Sequence, residues 1–201
     1  MSLGRVALLF GFGVVVGSGL DALHTHSGTT LYASPWFFEM SVWTPLIFGL
    51  AGLSVGLSYP LAERLTGRRP GRRLSWTEVG GGFAAFAGLY AMSGYLPVSN
   101  AAKLGVLLVG AAVLFGWLAR TGLAFVLAVL TAVIGPLVEA ALVHAGLFGY
   151  REPDVLGFAM WLPALYASGS IAFGAVGQKL MDPTLPVRRS RSCHRRLPSR
   201  T

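Results

Sequence analysis

Charge is scarce in this chain. Only 12% of its residues are charged, where a soluble domain carries about 25%. Lysine is nearly absent, with Lys103 and Lys179 set against a field of arginines. There is one cysteine, Cys193, which excludes an internal disulfide framework. No zincin helix, phosphate-binding glycine loop or assembled Ser-His-Asp order occurs in the sequence. Metal, cofactor and nucleic acid are therefore not expected, and the +8 formal charge finds its explanation elsewhere.

What the chain does have is apolar length. Hydrophobic residues make up 54% of its 201 positions, with mean hydropathy +0.63. Six apolar segments come near spanning length, over 4–20, 41–60, 77–96, 103–119, 123–146 and 157–180. Crossing the hydrocarbon takes about 20 helical residues. Backbone groups in lipid must bond internally, so segments of this length are expected as helices. The fold expected is all-α, a polytopic membrane protein of six transmembrane helices. Residues 1–180 form the membrane domain, and 181–201 a basic, disordered tail in which Cys193 is a free thiol.

Charge then sets the orientation. Arg5, the cluster Arg64, Arg68, Arg69, Arg72 and Arg73, then Arg120, Lys179 and the tail arginines all fall on one side of a six-span chain. Lys103 and Arg151 are the two basic residues of the other side. The positive-inside rule places both termini in the cytoplasm. Contact with anionic lipid headgroups follows at that face. Connections are short, except 21–40, where Trp36, Phe37 and Phe38 suit an interfacial belt or a re-entrant piece. No internal repeat is evident, which weighs against inverted-repeat transporters.

Polar chemistry is sparse. Asp21, His24 and His26 read as polar loop residues, a weak metal signal. Ser75 to Glu78 reads as a capping box. Glu139 lies deep in the fifth segment, three residues after Pro136. An ionisable group at that depth is a functional candidate. The competing reading is a neutral carboxyl bonded to a carbonyl freed by the proline. Glycines recur at Gly13/Gly17 and Gly52/Gly56, and the last segment carries Ser168, Gly169, Ser170, Gly174 and Gly177. Such residues let helix backbones approach closely in lipid. Small residues also leave space. Trp43, Phe86, Tyr90 and Trp161, with Ser93 and Glu139, are the residues expected to line a mostly apolar cavity suited to a lipid.

The stretch WLPALYASGSIAFGAVGQKL resembles the last span of the Insig proteins, at Trp161, Leu162, Pro163, Ser168, Gly169, Gly174, Gly177, Gln178 and Leu180. Before it, LVHAGLFGYREPDVL is similar to the Insig stretch at Leu142, Val143, Gly146, Tyr150, Pro153, Asp154 and Leu156. Trp43, Pro45, Gly56, Leu57, Tyr59, Pro60, Phe86, Gly88 and Ser93 extend the likeness. The resemblance implies six spans with cytosolic ends. It also implies a sensor or adaptor without catalysis that binds oxysterols and then Scap or HMG-CoA reductase. Of the cavity residues, Phe86 is the one carried by the likeness. The animal proteins carry a partner-binding Asp between spans four and five. Here Leu118 to Gly122 is shorter and basic, so a Scap-like partner is doubtful. The Arg, Ala and Gly bias points to a GC-rich bacterial genome, where diacylglycerol is a more available neutral lipid than sterol. The reading is an Insig-like lipid sensor or adaptor, with a second copy of itself among its candidate partners. A lipid-metabolism enzyme using Glu139 and a small-solute transporter are the alternatives.

Overall fold

The structure is a computed structural model and describes residues 2–182. The tail, with Cys193, lies outside the described residues from 183 on. Six long helices account for most of the described residues. α1 is Leu3–His26, α2 Thr44–Thr66, α3 Trp76–Tyr95, α4 Asn100–Ala119, α5 Gly122–His144 and α6 Leu162–Met181. α1, α2, α4 and α5 are long and apolar enough to cross a membrane. α3 and α6 are diluted by small residues, which score low on hydropathy while serving close packing. Large apolar side chains such as Leu50, Val109, Val113 and Ile134 stand exposed around the bundle, the pattern of a surface facing hydrocarbon.

Local chemistry sets the helix starts. Ser99 and Thr121 accept from the N–H groups of Ala102 and Ala124, and so cap α4 and α5. Ser75 and Glu78 form the expected capping box, joined by Arg72 at 2.8 Å. Pro45 and Pro163 open α2 and α6, where a missing N–H costs nothing. Gly67 ends α2 in the left-handed conformation.

α6 is the central helix and packs against α1 through α5. Its small residues have specific neighbours. A Cβ on Gly177 would fall 1.8 Å from the Gly56 carbonyl oxygen of α2, and one on Gly174 would strike the Tyr59 ring at 2.4 Å. The α1–α2 crossing is similar: a Cβ on Gly52 would meet the Gly13 Cα at 2.8 Å. Gly13 to Gly17 form a π-helical turn within α1 at this crossing.

The charge split predicted from sequence is a split between the two ends of the bundle. At one end Arg5 Nη1 donates to the Asp182 carbonyl at 2.9 Å, and Lys179 Nζ to the Leu74 carbonyl at 2.8 Å. Thr121 Oγ1 donates to the Pro70 carbonyl there, at 2.6 Å. The start of α1, the Arg-rich loop, the α4–α5 turn and the end of α6 thus lie together. At the other end β1 (Thr30–Tyr32) pairs antiparallel with β2 (Phe148–Tyr150).

That ribbon exposes an internal repeat which the sequence reading missed. Residues 27–44 and 145–162 pass through the same succession of turn, strand, bend, tight turn and helix start, offset by 118. Gly28 and Gly146 share a positive φ, as do Phe38 and Leu156. Phe37 bridges Met40 as Val155 bridges Phe158. Pairing runs Thr30 with Tyr150, Leu31 with Gly149 and Tyr32 with Phe148, so a pseudo-two-fold axis passes between Leu31 and Gly149. The Ala33 N–H donates to the Leu147 carbonyl, and the Arg151 N–H to the Thr29 carbonyl. In sequence Gly17, His26, Gly28, Tyr32, Pro35, Trp43 and Pro45 recur at Gly135, His144, Gly146, Tyr150, Pro153, Trp161 and Pro163, and Asp21 becomes Glu139. These seven identities and one acidic exchange, dispersed among apolar residues, carry little sequence signal. The shared backbone shows them to be one pattern used twice.

Candidate functional site

α1 continues to His26, six residues past its expected end, so Asp21 and His24 are buried helix residues, 5% and 2% exposed, and not loop residues. Each carboxyl of the repeat takes the phenol of its own half. Tyr32 Oη donates to Asp21 Oδ2 at 2.7 Å, and Tyr150 Oη donates to Glu139 Oε2. Glu139 Oε1 accepts a further bond, from Tyr166 Oη at 2.6 Å. Position 166 corresponds to Phe48 in the first half, so the second carboxyl has one partner more. Both oxygens of Glu139 thus bind phenols. The carbonyl expected as its partner plays no such part, and Pro136 sits inside a continuous helix. Burial holds the Tyr32 and Tyr150 phenols well above their ordinary titration range, so they remain donors.

A third polar unit adjoins these. Ser93 Oγ gives its hydrogen to the Tyr90 carbonyl at 2.7 Å. It must therefore accept from His24 Nε2, 2.8 Å away, which fixes the imidazole tautomer. The His24 ring stacks on Tyr90 at 4.2 Å and meets Trp161 edge-on at 5.6 Å. His144 is spent on its own helix, with Nδ1 donating to the Ala140 carbonyl at 2.7 Å.

Two chambers meet at this cluster. The apolar one has about 640 Å³ of empty space, its open mouth included, among Phe48, Gly52, Phe86, Leu165, Gly169 and Phe173. The polar one, about 530 Å³ on the same measure, lies towards the ribbon and holds Asp21, His24, Thr30, Tyr32, Trp43, Thr44 and Tyr150. Phe48, Ala51, Tyr90, Glu139 and Tyr166 belong to both. Thr30 Oγ1 is buried there without a hydrogen-bond partner.

Of the six expected cavity residues, Phe86, Tyr90 and Glu139 line the apolar chamber, and Trp43 lines the polar one. Ser93 and Trp161 line neither. Ser93 is 1% exposed behind His24, and Trp161 is fully buried with Nε1 donating to Asn100 Oδ1 at 3.0 Å. The sequence reading took Asp21 for a loop residue and placed none of Tyr32, Tyr150 and Tyr166 in the site. The signal that finds them is the repeat, because Asp21 and Tyr32 stand to each other as Glu139 and Tyr150 do. Among the described residues no His, Cys, Asp and Glu group is arranged to hold a metal ion.

The comparisons with known proteins agree with this architecture. Residues 4–181 match the family model described as insulin-induced protein (INSIG). The insulin-induced gene 1 protein of Danio rerio is 30% identical over 180 residues, which cover 88% of this chain and 72% of that protein. The Rattus norvegicus counterpart is 30% identical over 182 residues, covering 88% and 70%. Among solved structures, the mycobacterial Insig homologue MvINS from Mycobacterium vanbaalenii superposes with a TM-score of 0.79 at 27% identity, covering 92% of this chain and 99% of that one. A cross-linked trimer of MvINS gives 0.80 at 25% identity, covering 93% and 99%. Five helices packed around a small-residue central sixth, with a family match along nearly all of them, make this chain a multi-pass integral membrane protein of the Insig family.

Proposed function

We propose that this protein binds a neutral lipid, diacylglycerol-like or sterol-like, with its apolar body in the chamber at Phe86 and Gly169 and its hydroxyl at the polar cluster. It serves as a lipid sensor or adaptor and performs no catalysis. One observation carries the reading: an apolar cavity within the helices ends on Glu139, Tyr90 and Tyr166. A neutral hydroxyl group suits that end because a buried charge without a partner is far costlier than a bonded hydroxyl. Ser93, expected to line the cavity, lines neither chamber and is bonded to His24 and the Tyr90 carbonyl. Glu139, Tyr166 and the unpartnered Thr30 are the better candidates. Both oxygens of Glu139 hold phenols, which favours a structural and binding role over acid-base chemistry.

Lipid identity is tested with photo-crosslinkable diacylglycerol and oxysterol against a charged phospholipid control. Gly169 faces the cavity, and a Cβ there would lie 3.3 Å from the Phe86 ring. Gly169→Leu fills the chamber and should abolish labelling by the neutral probe while the helices stay folded. Equal labelling of Gly169→Leu and wild type excludes this cavity. Self-association is part of the same reading, supported by the trimeric state of cross-linked MvINS. A Scap-like partner is not proposed, since α4 and α5 are joined by a two-residue turn at Arg120 and Thr121.

A further inference from the structure

The two basic residues of the ribbon end, Lys103 and Arg151, line one and the same surface pocket. Its empty space is about 480 Å³ with the opening included, and Ser27, Gly28, Thr29 and Glu152 share the wall. Lys103 is on α4, and Arg151 directly follows β2. Among the described residues neither side chain makes an ion pair or a hydrogen bond, since Glu63–Arg69 and Glu78–Arg72 are the ion pairs formed. Glu152 shares the pocket without pairing with either cation, so an excess positive charge remains.

Neither cation is there for the fold. The internal repeat supplies a control for Arg151. Its counterpart is Ala33, whose N–H makes the equivalent bond to the Leu147 carbonyl. The backbone position is thus served equally well by a methyl group, and the guanidinium is an addition. It lies over Gly28, where a Cβ would come 2.3 Å from Nη2, so the glycine leaves it room. Lys103 closes the first turn of α4, which contains no acidic residue. A cation there opposes the helix dipole. It also opposes the orientation rule that clears basic residues from this end. The Ser27 and Thr29 hydroxyls are bonded to each other at 2.7 Å, and Ser27 donates to the His24 carbonyl at 3.1 Å. Recognition therefore falls on the two cations.

We infer that Lys103 and Arg151 form a binding site for a phosphate group at the ribbon end of the bundle, separate from the lipid cavity. A guanidinium offers a fork of N–H donors to two phosphate oxygens, and an ammonium a point charge to a third. The pocket opens where spanning helices end, at Ser27 just past α1 and Lys103 in the first turn of α4. A phospholipid headgroup and a free phosphate ester share this chemistry.

The test uses the full chain in detergent, with binding of short-chain phosphatidylglycerol and of inorganic phosphate followed by thermophoresis. Wild type should bind at least one of the two saturably. Arg151→Ala, which copies the Ala33 half of the repeat, and Lys103→Gln should each weaken that binding by about tenfold, as expected for loss of a charge-assisted bond. Thermal unfolding without added phosphate should change little in either variant. Binding of phosphatidylglycerol with no displacement by inorganic phosphate identifies a headgroup site, and displacement or direct phosphate binding identifies a soluble anion. Absence of saturable binding by both probes, or binding equal in wild type and both variants, overturns the inference.

Discussion

Gly177, Gly169 and Gly80 are all helical, yet each would answer differently to a side chain. Gly177 rests on the backbone of Gly56, where a Cβ has 1.8 Å of room. Backbone cannot step aside as a flexible side chain can. Gly177→Ala should destabilise by at least the upper end of the roughly 1–3 kcal/mol typical of overpacking, read as a lower thermal midpoint in detergent. Around Gly80 nothing lies within 4 Å. Gly80→Ala should therefore stabilise by about 0.5–1 kcal/mol, because alanine loses less backbone entropy in a helix. If the two variants melt alike, α6 does not cross α2 as described. The phenols form a second matched pair. Tyr32→Phe and Tyr150→Phe each leave a buried carboxyl oxygen without its donor, at a cost of about 1–3 kcal/mol. Tyr150→Phe should be the milder, because Tyr166 still donates to Glu139. A double change of Tyr150 and Tyr166 to Phe should cost more than the two single changes together, which a double-mutant cycle of unfolding midpoints measures.

At the scale of the element, caps and hydropathy made most helices readable. Ser75 with Glu78 marked the start of α3, and Ser75→Ala should lower the unfolding free energy by about 1 kcal/mol. Denaturant titration checks this, and no change would remove the capping box from the account. The ends of α1 and α2 went unread, each helix running six residues past its expected end, to His26 and Thr66. Asp21, His24 and His26 looked like the polar edge of a loop, since a window of composition falls there just as it would beyond a helix end. The helix continues because Asp21 and His24 find Tyr32 and Ser93. Those partners are 11 and 69 residues away and invisible to a local pattern.

The molecule as a whole has two unlike ends. The positive-inside rule predicts that the Arg-rich end, where Arg5 meets the end of α6, faces the cytoplasm. Cys193 is the only thiol. A membrane-impermeant maleimide should leave it unlabelled in intact cells and label it after lysis. In a Cys193→Ser background, Ser34→Cys beside the ribbon should label in intact cells. The reverse pattern would invert the molecule in the membrane.

Membrane residence, the number of helices and the grouping of charges were fixed by the sequence alone. Apolar length and the order of basic residues are one-dimensional quantities, and an unbroken apolar run of about 20 residues spans lipid as a helix, a barrel strand needing only about half that length. The glycine and serine face of α6 likewise announced close packing. What it packs on, and which polar groups meet, only the tertiary structure decided. Asp21 and Glu139 come to one chamber because a two-fold ribbon sets the two halves face to face. Ser93 and Trp161 turn away from that chamber because helix rotation gives their polar atoms to His24 and Asn100. Rotation and pairing arise from contacts between distant segments, and no window along the chain contains both partners.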